Sequence, residues 1–344
     1  MNLLRWCPAA VALAACASGG ASPRVAGDAA DTPCLPGATV RVEADSLRVA
    51  GGWLHGTRLV PEGSRRVPVI ILLAGSGPTD RNGNGGGVTP NTLRLLAEGL
   101  AQRGVATLSY DRRGIGASAA VQPREQDYRF SMLVDDARAW VRQVRTDARF
   151  GPLVLGGHSE GSLVAILAAQ ASPVDAVVTL AGPGRPHWQV IRDQLRRNIP
   201  PTQAATLVRA ESLLVRLAKG EVPDSTPAEL APLFRPSVLP YLASFYPFDP
   251  AAELRRLRRP ALVAQGTTDL QVEDAEAEML AGSTPGVRVL HVPGMNHALK
   301  AATGGRLQQY ATYMNPRLPV VPMLLDSLAA FVCRLPPQPR SPAS

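Results

Sequence analysis

The pentapeptide Gly157-His158-Ser159-Glu160-Gly161 lies between an apolar run, Pro152-Leu153-Val154-Leu155, and a small-residue apolar stretch from Ser162 to Ala169. The first run reads as a buried strand and the second as a buried helix. A serine at the sharp corner between them, flanked by glycines that let the two backbones nearly touch, is held in a strained and exposed position suited to a nucleophile. A hydroxyl attacks poorly at neutral pH, so a histidine must take its proton and a carboxylate must orient that histidine.

Both partners are expected downstream, each on a loop that leaves a strand. Pro260 to Gly266 reads as a strand running into Thr267-Thr268-Asp269, which makes Asp269 the acid, with Glu273 and Asp274 as alternatives from the same loop. Val287 to Pro293 reads as the next strand, and His297 follows it in Gly294-Met295-Asn296-His297. Of the other histidines, His291 falls inside that strand, His55 in an N-terminal hairpin and His187 at the start of an insertion, while His158 is expected to point away from the serine. An oxyanion hole needs two backbone N–H groups. One is the amide of Glu160; the other is assigned to Ser76, in the Ala74-Gly75-Ser76-Gly77-Pro78 loop after a strand over Val67 to Leu73.

Five segments now stand in order: Gly75 to Asn84 (GSGPTDRNGN), Tyr110 to Ser118 (YDRRGIGAS), GHSEG, Gly266 to Val272 (GTTDLQV) and GMNH. Together they resemble bacterial α/β-hydrolase serine esterases, most closely the branch called dienelactone-hydrolase-like or acyl-CoA thioester hydrolase-like. The resemblance covers most of the chain after its N-terminal region. It implies an α/β-hydrolase fold, a mostly parallel sheet with helices on both faces, and hydrolysis through an acyl-serine without a cofactor. Relatives often carry His-Gly before the oxyanion residue, where this chain has Ala74; the backbone donor does not depend on that histidine.

The elements that must position these residues alternate as in a parallel sheet. A hairpin over Thr39 to Val60, turning at Gly51-Gly52, precedes the strand at Val67. Further strands are expected over Val105 to Tyr110 and Val174 to Leu180, with helices over Thr92 to Arg103, Ser131 to Thr146 and Pro322 to Arg334. From Arg185 to Pro250 the alternation gives way to helical patterns and a proline-punctuated aromatic stretch, which reads as a lid. Its Tyr241, Phe245 and Phe248 are candidates to line a substrate pocket. The expected organisation is a signal segment over 1–15, a tether over 16–37, core over 38–184, lid over 185–250, core over 251–335 and a disordered tail over 336–344.

The chain has 344 residues and a net charge of +8. Only Lys219 and Lys300 are lysine, and the arginines are dispersed, so the charge reads as compositional bias rather than a nucleic-acid surface. Arg5, a short apolar run from Val11 to Ala15 and then Cys16 resemble a lipoprotein signal, with Cys16 lipidated and the enzyme held at a membrane facing the periplasm; an ordinary secretory signal, leaving a soluble periplasmic or secreted enzyme, is the alternative. Cys34 and Cys333 then remain as a disulfide pair. No metal-ligand spacing occurs among the Cys and His residues. Asp80-x-Asn82-x-Asn84-Gly85 matches the early positions of a calcium loop, but Asn91 stands where the bidentate Glu belongs, so no metal is expected. The leading function is ester hydrolysis on a small-molecule substrate. Thioesterase, lysophospholipase and peptidase activities share the machinery, and a noncatalytic surface lipoprotein is the rival from another class.

Overall fold

Successive apolar strands too short and too buried to stand alone must share one sheet, and they do. A computed structural model describes residues 34–63 and 66–336; Cys16, the signal segment and the tail from residue 337 lie outside the described residues, as does nearly all of the tether. The strands are β1 (Val40–Val49), β2 (Gly52–Pro61), β3 (Val67–Leu73), β4 (Ala106–Tyr110), β5 (Phe150–His158), β6 (Ala176–Leu180), β7 (Ala261–Gly266) and β8 (Val287–Val292). They form one sheet in the order β1-β2-β4-β3-β5-β6-β7-β8. β1 pairs antiparallel with β2, and β2 with β4; every other pairing is parallel. β3 to β7 are buried along almost their whole length because both faces are covered.

The covering helices are α1 (Thr92–Ala101), α2 (Phe130–Thr146), α3 (Glu160–Gln170), α4 (His187–Asn198), α5 (Ala204–Ala218), α6 (Ala231–Phe234), α7 (Leu239–Phe245), α8 (Pro250–Arg256), α9 (Ala275–Ala281), α10 (Arg306–Tyr313) and α11 (Pro322–Cys333). Two apolar layers result. One packs Trp140 of α2, Leu163 and Ile166 of α3 and Leu213 and Leu217 of α5 against alternate residues of the strands. The other packs Leu96 and Leu100 of α1 with Leu324 and Leu328 of α11 against the remaining set, including Ile70 and Val178. Such alternation assigns neighbours on one strand to opposite layers.

Cys34 and Cys333 are joined in a disulfide with Cα atoms 5.8 Å apart, tying the start of the described chain to the end of α11. Closing so long a loop restricts the unfolded chain by about 6 kcal/mol. Helices α4 to α7 all lie in the chain between β6 and β7. Helices α9 and α10, which the sequence reading did not foresee, flank the loops that leave β7 and β8. Among the described residues no helix is long and apolar enough to cross a membrane.

Candidate active site

The corner after β5 is built by close approach. A Cβ on Gly157 would stand 2.0 Å from the carbonyl oxygen of Gly161, so only glycine lets the strand turn into α3 here. Ser159 takes φ 53°, ψ −121°, an unfavourable conformation for a side-chain-bearing residue. Its amide is pinned to Leu180 O at 2.8 Å, and Ser162 Oγ donates to Gly157 O at 2.8 Å.

Asp269 leaves β7 in a turn that satisfies its carboxylate completely. Oδ1 accepts the amides of Gln271 and Val272 at 2.8 and 3.0 Å, while Oδ2 accepts Gln265 Nε2 at 3.2 Å and His297 Nδ1 at 2.7 Å. Burial pushes this carboxyl up, but the imidazole and the two amides outweigh it and hold the pKa below the ordinary value. A carboxylate only accepts, so Nδ1 of His297 carries the proton and Nε2 presents a lone pair. Asp269 and His297 are both buried. The alternatives for the acid are engaged elsewhere: Glu273 pairs with Arg197, and Asp274 with His291.

Ser159 and His297 line one cavity of 160 Å³ together with His158, Gly75, Ser76 and Tyr313. Among the described residues Ser159 Oγ makes no hydrogen bond. The loop after β3 presses against the corner: a Cβ on Gly75 would meet Ser159 Cβ at 3.2 Å. Ser76, next along, is exposed to the cavity, and among the described residues its amide donates to no protein acceptor. The Glu160 amide belongs to the first turn of α3, where helical N–H groups lack an intrahelical acceptor.

Three expectations need correction. His158 does not point away from the site: it borders the cavity, its ring lies 4.9 Å from that of His297, and its Nε2 donates to His297 O at 2.8 Å. Burial, then the neighbouring His297, pushes its pKa down to about 4, so it is neutral and supports the His297 loop rather than competing for the proton. Phe245 and Phe248 border neither this cavity nor the larger one that Tyr241 reaches. Phe245 is buried with its ring 4.5 Å from Phe130, and Phe248 packs 5.8 Å from the same ring. Tyr241 does border a second cavity, of 300 Å³, beyond the Gly77-Pro78 side of the β3 loop, with Tyr128, Ile115 and Val238.

Two anchors of the His297 loop were not singled out from sequence. Asn296 is fully buried; its Oδ1 accepts the amides of Ala298 and Lys300, and its Nδ2 reaches Thr312 at 2.8 Å. Lys300 donates to the carbonyls of Pro90, Thr312 and Asn315, joining that loop to α10. Asn296 was visible inside GMNH; nothing local marks Lys300. The calcium-like stretch is self-contained: Asp80 Oδ1 accepts the amides of Asn82 and Asn84, and Asn84 pairs with Asn91.

A sheet whose parallel strands deliver a serine corner after β5, an acid after β7 and a histidine after β8 has a defined counterpart among solved structures. Est1E of Butyrivibrio proteoclasticus, with ferulic acid bound, superposes with a TM-score of 0.55 at 15% identity, over 85% of this chain and 98% of that one. VinJ gives 0.55 at 17% identity, over 85% and 99%. Proline iminopeptidase of Mycobacterium smegmatis gives 0.53 at 16% identity, over 84% and 97%. The chain has the α/β-hydrolase fold. Within it, the family described as serine aminopeptidase S33 matches residues 84–226, a span that holds Ser159 but neither Asp269 nor His297. Esterase EstD of Thermotoga maritima is 28% identical over 255 residues, 73% of this chain. The chain spans 59% of that protein's length, and 12% of the polyketide synthase ThaQ of Burkholderia thailandensis, which is likewise 28% identical over 269 residues.

Proposed function

We propose that this protein hydrolyses carboxylic esters of small molecules through an acyl-serine intermediate. The observation that carries the reading is the buried Asp269–His297 hydrogen bond of 2.7 Å opening on the same cavity as the strained Ser159. Substrate binding brings Ser159 Oγ within reach of His297 Nε2. The imidazole takes the hydroxyl proton as Oγ bonds to the ester carbonyl carbon; Asp269 stabilises the imidazolium, and the amides of Ser76 and Glu160 receive the carbonyl oxygen as it gains charge. His297 then passes the proton to the leaving alcohol, and water repeats the sequence to free the acid. Every step uses groups of this chain, and no cofactor is required.

The likeness to esterase EstD supports an ester substrate. The serine aminopeptidase description raises peptide hydrolysis, but among the described residues the wall around Ser159 carries no carboxylate to hold an α-ammonium group. In the 300 Å³ cavity the charged side chains are already matched: Arg112 with Glu160, Arg113 with Asp136 and Arg235 with Glu125. An uncharged, largely apolar group therefore fits it best. Thioesters and lysophospholipids offer the same carbonyl chemistry, and the resemblance of the five motifs to the dienelactone-hydrolase-like or thioester hydrolase-like branch supports keeping thioesters in the test panel. The export reading places the enzyme on a periplasmic membrane surface through lipid on Cys16; a disulfide between Cys34 and Cys333 suits such an oxidising compartment.

A fluorophosphonate probe should label Ser159 and no other serine, and a panel of acyl esters, thioesters and aminoacyl peptides should show turnover of esters first. Labelling elsewhere, or turnover of peptides alone, would overturn the proposal. Incorporation of a clickable fatty acid, lost in Cys16→Ser, tests the anchor.

A further inference from the structure

The triad does not use the Tyr110 to Ser118 segment, although each charged side chain in it is committed. Asp111 is 2% exposed and accepts the amides of Arg81 at 2.8 Å and Ala117 at 2.9 Å, which closes the loop on itself. Arg113 reaches outward and grips Asp136 of α2 with two hydrogen bonds of 2.8 and 2.7 Å. Arg112 turns inward. Its Nη1 donates to Glu160 Oε1 at 3.0 Å, and its Nη2 donates to the carbonyl of Gly77.

Those two acceptors sit on the two segments that supply the oxyanion donors. Glu160 carries one amide at the start of α3. Gly77 directly follows Ser76, whose amide is the other. The segments come from opposite sides of the chain's order, after β5 and after β3, and a few tenths of an ångström in their spacing decide whether both N–H groups can reach one oxygen. We infer that Arg112, through Glu160 and Gly77, is a positioning residue that holds the two halves of the oxyanion hole at a fixed separation. The inference rests on the ester-hydrolase reading above.

The chemistry suits that task. A guanidinium is a flat, rigid fork whose nitrogens can serve two acceptors in fixed directions, which an ammonium on a flexible stem cannot do. Arg112 is 8% exposed and Glu160 2%. Burying such an ion pair carries a desolvation penalty that offsets most of its attraction, so it contributes little net stability over an apolar pair. Stability alone therefore gives no reason to keep it, whereas geometric control does. Arg112 also faces the 300 Å³ cavity, which Tyr241 borders too, and Tyr241 lies beside Glu160.

The test compares kcat, KM and the affinity of an alkyl boronic acid, which forms a tetrahedral adduct on the serine, in wild type, Arg112→Lys, Glu160→Gln and Arg112→Ala. The expected result is a kcat loss of about 30-fold or more in Arg112→Lys, a fraction of the roughly 100- to 1000-fold lost with an oxyanion donor itself. KM should move less than about threefold, boronate affinity should fall in parallel with kcat, and millimolar methylguanidinium should restore Arg112→Ala at least about fivefold. If Arg112→Ala does not fold, Arg112→Lys and Glu160→Gln carry the comparison, since each keeps a hydrogen-bonding group in place. Unchanged kcat and boronate affinity with only a lower Tm would overturn the inference, as would a loss carried entirely by KM. Wild-type turnover and Ser159 labelling separate the two readings: without them the ester-hydrolase proposal fails, and with them intact only the positioning role is at stake.

Discussion

Two histidine–carboxylate pairs join the segment after β7 to β8 and the loop that follows it, with nearly the same contact distance and opposite surroundings. His297 Nδ1 meets Asp269 at 2.7 Å, and His291 Nδ1 meets Asp274 at 2.6 Å. Side-chain exposure is 8% and 0% in the first pair, 37% and 40% in the second. His291 also spends its other nitrogen, on Glu278 at 3.0 Å, and these two carboxylates raise its pKa. Such a ring has no free lone pair and prefers to stay charged. His297 keeps one nitrogen open to the cavity, and its carboxylate works in a dry setting where electrostatic effects are strong. A short His–carboxylate contact therefore does not by itself mark a catalytic pair; the unspent nitrogen and the burial set Asp269–His297 apart.

The contrast is broken or upheld most forcefully by activity. Ser159→Ala and His297→Ala should each abolish ester turnover, and Asp269→Asn should lower kcat by about 1000- to 10,000-fold. Asp274→Asn should stay within about twofold of wild type. A silent Asp269→Asn beside a crippled Asp274→Asn would reverse the assignment.

The aromatics of the segment between β6 and β7 pose the same question of position against type. Phe245→Ala, which opens a void against Phe130, should cost about 3 to 5 kcal/mol of stability in urea melts and leave the ranking of substrates unchanged. Val238→Trp, which fills the 300 Å³ cavity, should instead lower kcat/KM for longer acyl esters relative to short ones by about tenfold. If Phe245→Ala alone changes the ranking, the cavity assignment fails.

Acid titration separates buried from exposed histidines by sign. Burial pushes His158 down to about 4 and His187 down to about 3. Both ring nitrogens of His187 are shielded and, among the described residues, unpartnered. For a depressed folded-state pKa the unfolded chain binds the proton first, so stability falls as pH drops from about 6.5 towards 4, by about 3 kcal/mol for each group. His187→Leu should remove about half of that loss in melts at pH 4.5 against pH 7. His291 has the opposite sign: its raised pKa contributes stability that is complete below its unfolded value and fades as pH rises through the folded one. Being largely solvated, it should contribute least, and His291→Ala should shift stability by under about 0.5 kcal/mol. An acid loss of equal size in wild type and His187→Leu would show that the buried ring is not its source.

Much of this molecule is legible from local pattern. Apolar runs mark six of the eight strands as they lie in the sheet, the hairpin turning at Gly51-Gly52 accounts for the other two, and the glycines around Ser159 mark the corner, because periodicity and close backbone approach are properties of a few consecutive residues. The loop position of His297 and the turn at Asp269 follow for the same reason. What the neighbours in sequence could not determine was which way a side chain turns. His158 faces His297 because the Gly294–Lys300 loop folds back over it, 139 residues away. Asp269 rather than Asp274 meets the open histidine because of how the ends of β7 and β8 lie in the sheet. Tyr241 reaches a cavity while Phe245, one helical turn on, sinks into Phe130. Arg112 reads as one arginine among many until the sheet brings Glu160 and Gly77 to its two ends. Each of these depends on segments far apart in the chain meeting at ångström precision, and packing of the whole core, not the composition of any stretch, sets that precision.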